Sequence, residues 1–277
     1  MKKKMSAMAH SFSLPDIQDD AFVFPFFFEG KPVSGISCML SAHGAGSMDV
    51  RETGRRNAFL QKTGVDPAKT FACSQTHSQT HSQNVAVIGI ADGERSAAIL
   101  YDADGLASGA GCGAANVYLS VTVADCLPVY MFDMETGAFS VVHSGWKGTG
   151  IVLNALIALK SMNAEAHPEA VCAVLGPCIC GKCYHVDEER RRVFEARFGG
   201  EAYGSSVEYP LGGVVKSDCL DLKAANAALL ANAGVRNIAY CENCTFTDER
   251  LGSFRREGKN FTKMMAVIGR SCHVHSL

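Results

Sequence analysis

The chain has 277 residues, with 26 Lys plus Arg against 28 Asp plus Glu and a formal net charge of −2. That balance excludes a nucleic-acid protein working through a basic face and a polybasic membrane binder, while 47% hydrophobic and 19% charged residues exclude a disordered chain. The unusual counts are 12 cysteines and 9 histidines; a chain this long does not need a disulfide framework, so metal or thiol chemistry is the first question they raise.

Residues 1–20 read as an N-terminal tail, because no apolar stretch precedes Asp16, Asp19 and Asp20. The first apolar run, AFVFPFFF at 21–28, is too short to span a membrane and too late for a signal peptide. A cytoplasmic protein with reduced thiols is the expectation. In chain order the patterning predicts a strand at 21–28, a helix at 50–62 and strands at 85–90, 97–101 and 117–123. Strands at 129–132 and 138–142 follow, joined by the hairpin loop DMETG. Residues 149–162 read as a buried helix, apolar almost all round, with Thr149 as its N-cap. A strand at 171–175, helices at 187–198 and 218–233, and strands at 237–240 and 264–268 complete the chain. Adjacent strands with scattered helices predict an α/β (α+β) fold of mixed β-sheet layers covered by helices, in one domain over 21–277, rather than a doubly wound parallel sheet.

Three segments place metal-competent side chains at the ends of apolar runs: QTHSQTHSQNV, a local duplication carrying His77 and His81; VTVADCLPVY, carrying Asp125 and Cys126; and FSVVHSGWKGTG, carrying His143. Strand ends lie on the rim of a sheet, where sites form. Two histidines and one cysteine match catalytic zinc, which takes three protein ligands and leaves a fourth position open. Zinc there would hold Cys126 as thiolate. The blander alternatives are hydrogen-bonded structural histidines and a small buried cysteine.

Taken together, the motifs resemble one family. They are H-S-x-x-V from His81, A-D-C-x-P from Ala124, H-S-G-W-K-G-T from His143, G-P-C-I-C-G-K-C-Y-H-V from Gly176, D-L-K-A-A-N from Asp221, C-T-F from Cys244 and S-F-R-R-E-G from Ser253. In this order they look like the signatures of the laccase-domain family, described as multicopper polyphenol oxidases and as purine nucleoside phosphorylases with adenosine deaminase activity. The resemblance implies a zinc enzyme acting on inosine, guanosine, adenosine and methylthioadenosine with phosphate, with copper as the alternative cofactor. It implies His81, Cys126 and His143 as ligands; His81 is preferred to His77 because only His81 has a valine four residues later. Cys126 and Asp125 are the catalytic candidates, and Arg56, Lys147, Arg255 and Arg256 the candidates for holding phosphate or ribose, with Arg55 a rival to Arg56. Lys147 stands where the family usually has arginine, which keeps the charge and loses the bidentate fork; Thr262-Lys263 stands where a Gly-Arg pair is usual.

Rival readings are a copper polyphenol oxidase, a cysteine hydrolase or amidase acting on cell-wall peptides with Cys126 as nucleophile and His81 or His143 as base, and a zinc-binding scaffold. Multicopper sites need H-x-H pairs, and the sole one here is His273-Val274-His275 at the C-terminal end. Cys180/Cys183 and Cys241/Cys244 form two C-x-x-C pairs, the pattern of a structural zinc site. The long gap between the pairs, and the family match at Cys178, Cys183 and Cys244, argue against a second metal. Trp146 is expected as core or pocket wall, and the glycine-rich stretch 109–113 as a loop without a phosphate-loop pattern.

Overall fold

A computed structural model of the chain describes residues 8–75, 83–89, 100–109, 117–162, 167–198 and 219–270. Two mixed sheets lie face to face. The seven-stranded sheet runs β1 (Met8–Phe12), β12 (Asn237–Cys241), β11 (Val171–Leu175), β9 (Leu127–Asp133), β10 (Phe139–Ser144), β7 (Gly105–Ser108) and β5 (Val85–Ile88). The six-stranded sheet runs β2 (Ala21–Phe28), β3 (Lys31–Ser41), β13 (Met264–Gly269), β8 (Tyr118–Val123), β4 (Thr70–Cys73) and β6 (Leu100–Tyr101). Their facing sides share a core of Phe22, Phe24, Phe26, Leu119 and Val121 from one sheet with Leu106, Tyr130, Val141 and Val174 from the other. The Tyr130 hydroxyl crosses between the layers to donate to the Met39 carbonyl at 3.0 Å, so the buried ring keeps its polar end satisfied.

Helices cover both outer faces. On the seven-stranded sheet, α2 (Ile151–Ser161), α3 (Glu188–Phe198) and α4 (Leu222–Asn232) bury Leu156, Phe194 and Leu230 against Val129, Met131 and Tyr240. On the other sheet, α1 (Thr53–Lys62) packs Phe59 and Leu60 against Met39, Met265 and Val267. A short helix, α5 (Phe254–Glu257), precedes β13. The expected mixed layers covered by helices are present, and no helix among the described residues is long and apolar enough to cross a membrane.

Local sequence explains the details that differ. β2 contains Pro25, yet it survives because it is an edge strand paired only with β3, and its register shifts between Phe24 and Phe26, where the proline donates no ladder bond. Four strands lack a clear signal in the sequence. β3 follows a two-residue turn at Glu29-Gly30, both at positive φ (49° and 77°), the geometry that keeps a right-twisted hairpin closed. β4 and β7 are four residues each, too short for periodicity to register. Met8–Phe12, within the segment expected as a tail, pairs in parallel with β12 along its whole length.

The expected N-cap at Thr149 is also corrected. Gly150, at φ 105°, precedes α2, and the buried Thr149 hydroxyl instead donates to the Gly145 carbonyl at 2.9 Å, closing the loop after β10. That loop forms one wall of the site.

Candidate active site

Residues 124–126 carry the chain from the end of β8 in one sheet to the start of β9 in the other. Asp125 and Cys126 therefore stand at the mouth between the two layers, half-buried. His143 lies on β10 opposite Pro128 of β9 and shares strand parity with Phe139 and Val141, which face the inter-sheet core. It is 7% exposed. Its Nδ1 is 3.6 Å from Asp104 Oδ1, and its backbone N–H donates to the Asp104 carbonyl at 2.8 Å.

The opposite ring edge meets Cys126. A Cβ placed on Gly145 would stand 3.0 Å from Cys126 Sγ and 3.9 Å from His143 Nε2, so the missing side chain is what leaves both atoms room. Burial alone would lower the His143 pKa, but Cys126 and the Asp104 carboxylate outweigh it and raise the imidazole to about 10. A thiol and an imidazole side by side, with a carboxylate 3.6 Å behind the imidazole, match two of the three ligand types a catalytic zinc takes and the usual outer partner. The donor set fits the metal.

His77 and His81, one of which the resemblance makes the third ligand, lie outside the described residues. Both flanks of their segment are pinned beside the site. The Gln75 side chain accepts the Thr122 amide at 2.8 Å and donates to the Thr122 carbonyl at 2.9 Å, on the strand that leads into Cys126. Gln83 Nε2 donates to the Thr149 carbonyl at 2.7 Å, on the loop that follows His143.

Asp125 is engaged three ways. It accepts the hydroxyls of Thr245 and Ser253 and the backbone N–H of Arg255, each at 2.7 Å. A carboxylate so occupied holds loops in place.

The four expected cationic residues separate. Arg56 is 7% exposed and donates to the Met48 carbonyl (2.8 Å) and the Ser120 hydroxyl (3.3 Å), and burial lowers its pKa to about 10. Arg256 is spent on the carbonyls of Thr245, Phe246, Asp248 and Leu251 and on Glu257. Lys147 and Arg255 remain at the rim. Lys147 Nζ stands 5.3 Å from the centroid of Trp146, and Arg255 stacks 5.5 Å from that of Tyr184 while donating to the His185 carbonyl. Lys263, in place of the usual arginine, is paired with Asp49 at 2.7 Å.

Two rim residues escape sequence reasoning. Half-buried Tyr184 is within electrostatic reach of Cys126, Arg190 and Arg255, and burial first and Cys126 next push its phenol up. Arg190, on α3, stacks 5.6 Å from Trp146. The tyrosine stood inside a quoted motif; the arginine gave no signal, because α3 reads as a charge-laced surface helix. Trp146 proves to be both core and wall, packed under α2 and α3 and flanked by these cations.

The cysteine pairs behave differently from expectation. Cys180 and Cys183 converge with Cys244, all three sulfur atoms within 4.8 Å of one another. Cys241 is buried in β12 apart from them. The long sequence gap is closed by the parallel bridge between Cys178 and Cys244.

The family described as multi-copper polyphenol oxidoreductase laccase matches residues 41–271. The chain belongs to this family. Among its relatives, a purine nucleoside phosphorylase of Deinococcus radiodurans is 35% identical over 154 residues, spanning 56% of this chain and 57% of that protein. One from Corynebacterium glutamicum is 32% identical over 210 residues, 73% of this chain and 75% of that one. A protein named adenosine deaminase RL5, from an unknown prokaryotic organism, is 32% identical over 199 residues, 66% and 71% of the two chains. In fold, the YlmD protein of Geobacillus stearothermophilus superposes with a TM-score of 0.70 at 24% identity, covering 89% of this chain and 96% of that one.

Proposed function

We propose that the chain is a zinc-dependent purine nucleoside phosphorylase that also deaminates adenosine, acting at the Cys126–His143 site. The observation that carries this reading is the placement of the half-buried Cys126 and buried His143 under a rim that alternates aromatic rings and cations: Trp146, Lys147, Tyr184, Arg190 and Arg255. A flat, electron-rich base suits the ring faces, and an anion suits the guanidinium and ammonium groups. The names of the relatives fit the same substrates.

Cys126 and His143 would hold the metal, with His81 as third ligand and His77 as the rival, and bound zinc would act as a Lewis acid and lower the pKa of a water. The remaining work falls to the chain. Asp104, 3.6 Å from Nδ1, would orient the His143 ring so that Nε2 serves as the ligand atom. Trp146 and Tyr184 stack the purine. Lys147, Arg190 and Arg255 draw phosphate to the ribose, where a phosphate oxygen forms a bond to C1′ as the C1′–N9 bond breaks and the base leaves with the electron pair and takes up a proton. Asp125 is a positioning residue, holding Thr245, Ser253 and the Arg255 backbone so that the Arg255 side chain faces the site. Arg56 and Arg256 are assigned to the scaffold.

Incubating the purified protein with adenosine and phosphate and separating the products tests both activities at once. Adenine with ribose 1-phosphate reports phosphorolysis, and inosine reports deamination. The absence of both products from a metal-loaded sample would refute the proposal.

One observation favours a second reading. Cys126, His143 and Asp104 also stand in the order of a nucleophile, base and orienting carboxylate, the arrangement a cysteine hydrolase or amidase would use. Hydrolysis of a peptide amide that is blocked by alkylation and survives complete removal of metal would favour it.

A further inference from the structure

Outside the Cys126–His143 site, the sulfur atoms of Cys180, Cys183 and Cys244 gather within 4.8 Å of one another. The turn after β11 supplies the first two, with the Cys183 N–H donating to the Cys180 carbonyl at 2.9 Å, and the loop after β12 supplies the third. The Cys180 N–H also donates to Cys244 Sγ at 3.3 Å. We propose that these three thiols form a second metal site, for a soft d10 cation of which Zn2+ is the representative, and that the ion clasps the turn after β11 to the loop after β12.

Geometry and chemistry both support it. In a tetrahedral zinc site with bonds to sulfur of about 2.3 Å, neighbouring sulfur atoms lie roughly 3.8 Å apart, so side-chain adjustments of ångström size suffice. The Cys244 thiol is held below its ordinary value. Hydrogen bonds from the Cys180 thiol, and from the amides of Cys180, Phe246 and Thr247, outweigh burial and lower it to about 5. The hydrogen bond to Cys244 pushes the Cys180 thiol up and burial does the same to Cys183, and metal binding would displace the thiol protons. Both are half-buried, which leaves solvent an approach and a fourth coordination position for water. The site neighbours the first one through the chain: Thr245, next to Cys244, donates to Asp125, next to Cys126. An ion here braces the loop that holds the Asp125 clamp. The proposal does not rest on the nucleoside reading.

The test uses the full chain, zinc-loaded or chelator-stripped, alkylated with iodoacetamide and mapped by mass spectrometry. Zinc is expected to slow modification of Cys180, Cys183 and Cys244 together by about tenfold, in the wild type and equally in Cys126→Ala. Cobalt substituted into Cys126→Ala is expected to give a thiolate-to-metal charge-transfer band that the added change Cys183→Ser removes. If Cys126→Ala does not fold, metal counting serves: wild type is expected to hold one equivalent more than Cys183→Ser. Alkylation indifferent to zinc, equal metal counts, or a Cys180–Cys183 disulfide in protein kept anaerobic would overturn the proposal.

Discussion

The Asp125 carboxylate accepts the Thr245 hydroxyl at 2.7 Å across 120 positions of sequence, tying the crossover between the two sheets to the loop after β12. Ser253 and the Arg255 amide complete the clamp on the same carboxylate. Removing it leaves buried donors without their acceptor, which costs about 1–3 kcal/mol for a lost hydrogen bond of this kind. Asp125→Ala is therefore expected to lower stability in urea by an amount of that order and to reduce kcat/KM. A variant as stable and as active as wild type would show that the clamp positions nothing.

Gly145 sits where a Cβ would stand 3.0 Å from Cys126 Sγ. Gly145→Ala should leave the sheets intact and weaken metal retention at Cys126, because the methyl occupies the space into which the thiol and imidazole point. Metal content after dialysis, set against an unchanged thermal unfolding midpoint, checks this. Full metal retention would place the ion elsewhere.

Much of this site is legible in sequence, and the reason is local. Asp125, Cys126 and His143 end apolar runs, so strand patterning alone puts them on a rim, and the family motifs supply the rest. β2, β11 and the C-terminal borders of α1 to α4 follow from periodicity to within one residue, whereas the helices begin one to four residues later than the patterning predicts. What sequence does not carry is convergence of distant short segments. Cys180 and Cys183 meet Cys244 only because β11 and β12 lie side by side in parallel, and no spacing rule for compact zinc ribbons anticipates that. Arg256 looks like a ligand-binding arginine until its guanidinium is seen to close a loop over four carbonyls. Arg56 is similar: α1 carries the charge inward to Met48 and Ser120.

Asp49 gives a pH dependence with a definite sign. Arg51 first, then Lys263, hold its carboxyl well below the usual carboxylate range. A depressed folded-state pKa contributes stability that is present above the unfolded value, near 4 as a rough reference, and is lost as pH falls below it. Asp49→Asn is expected to cost about 1 kcal/mol at neutral pH, and the gap to wild type should narrow on acidification below about pH 4. A gap that widens with acid would reverse the assignment.

The aromatic rim separates binding from chemistry. Tyr184→Ala and Trp146→Ala are expected to raise KM for the nucleoside more than they lower kcat, since stacking operates in ground and transition states alike. Arg255→Met keeps the backbone amide on Asp125 and should raise KM for phosphate instead. Variants that shift both substrates equally would argue against separate base and phosphate subsites.

The most direct measurement follows inosine in the presence and absence of phosphate, with wild type and His143→Ala compared after zinc loading. The account predicts hypoxanthine and ribose 1-phosphate formed by wild type only when phosphate is present, and activity of His143→Ala lower by at least about a hundredfold, as for loss of a metal-site residue. Hypoxanthine release that ignores phosphate, or an active His143→Ala, would contradict it.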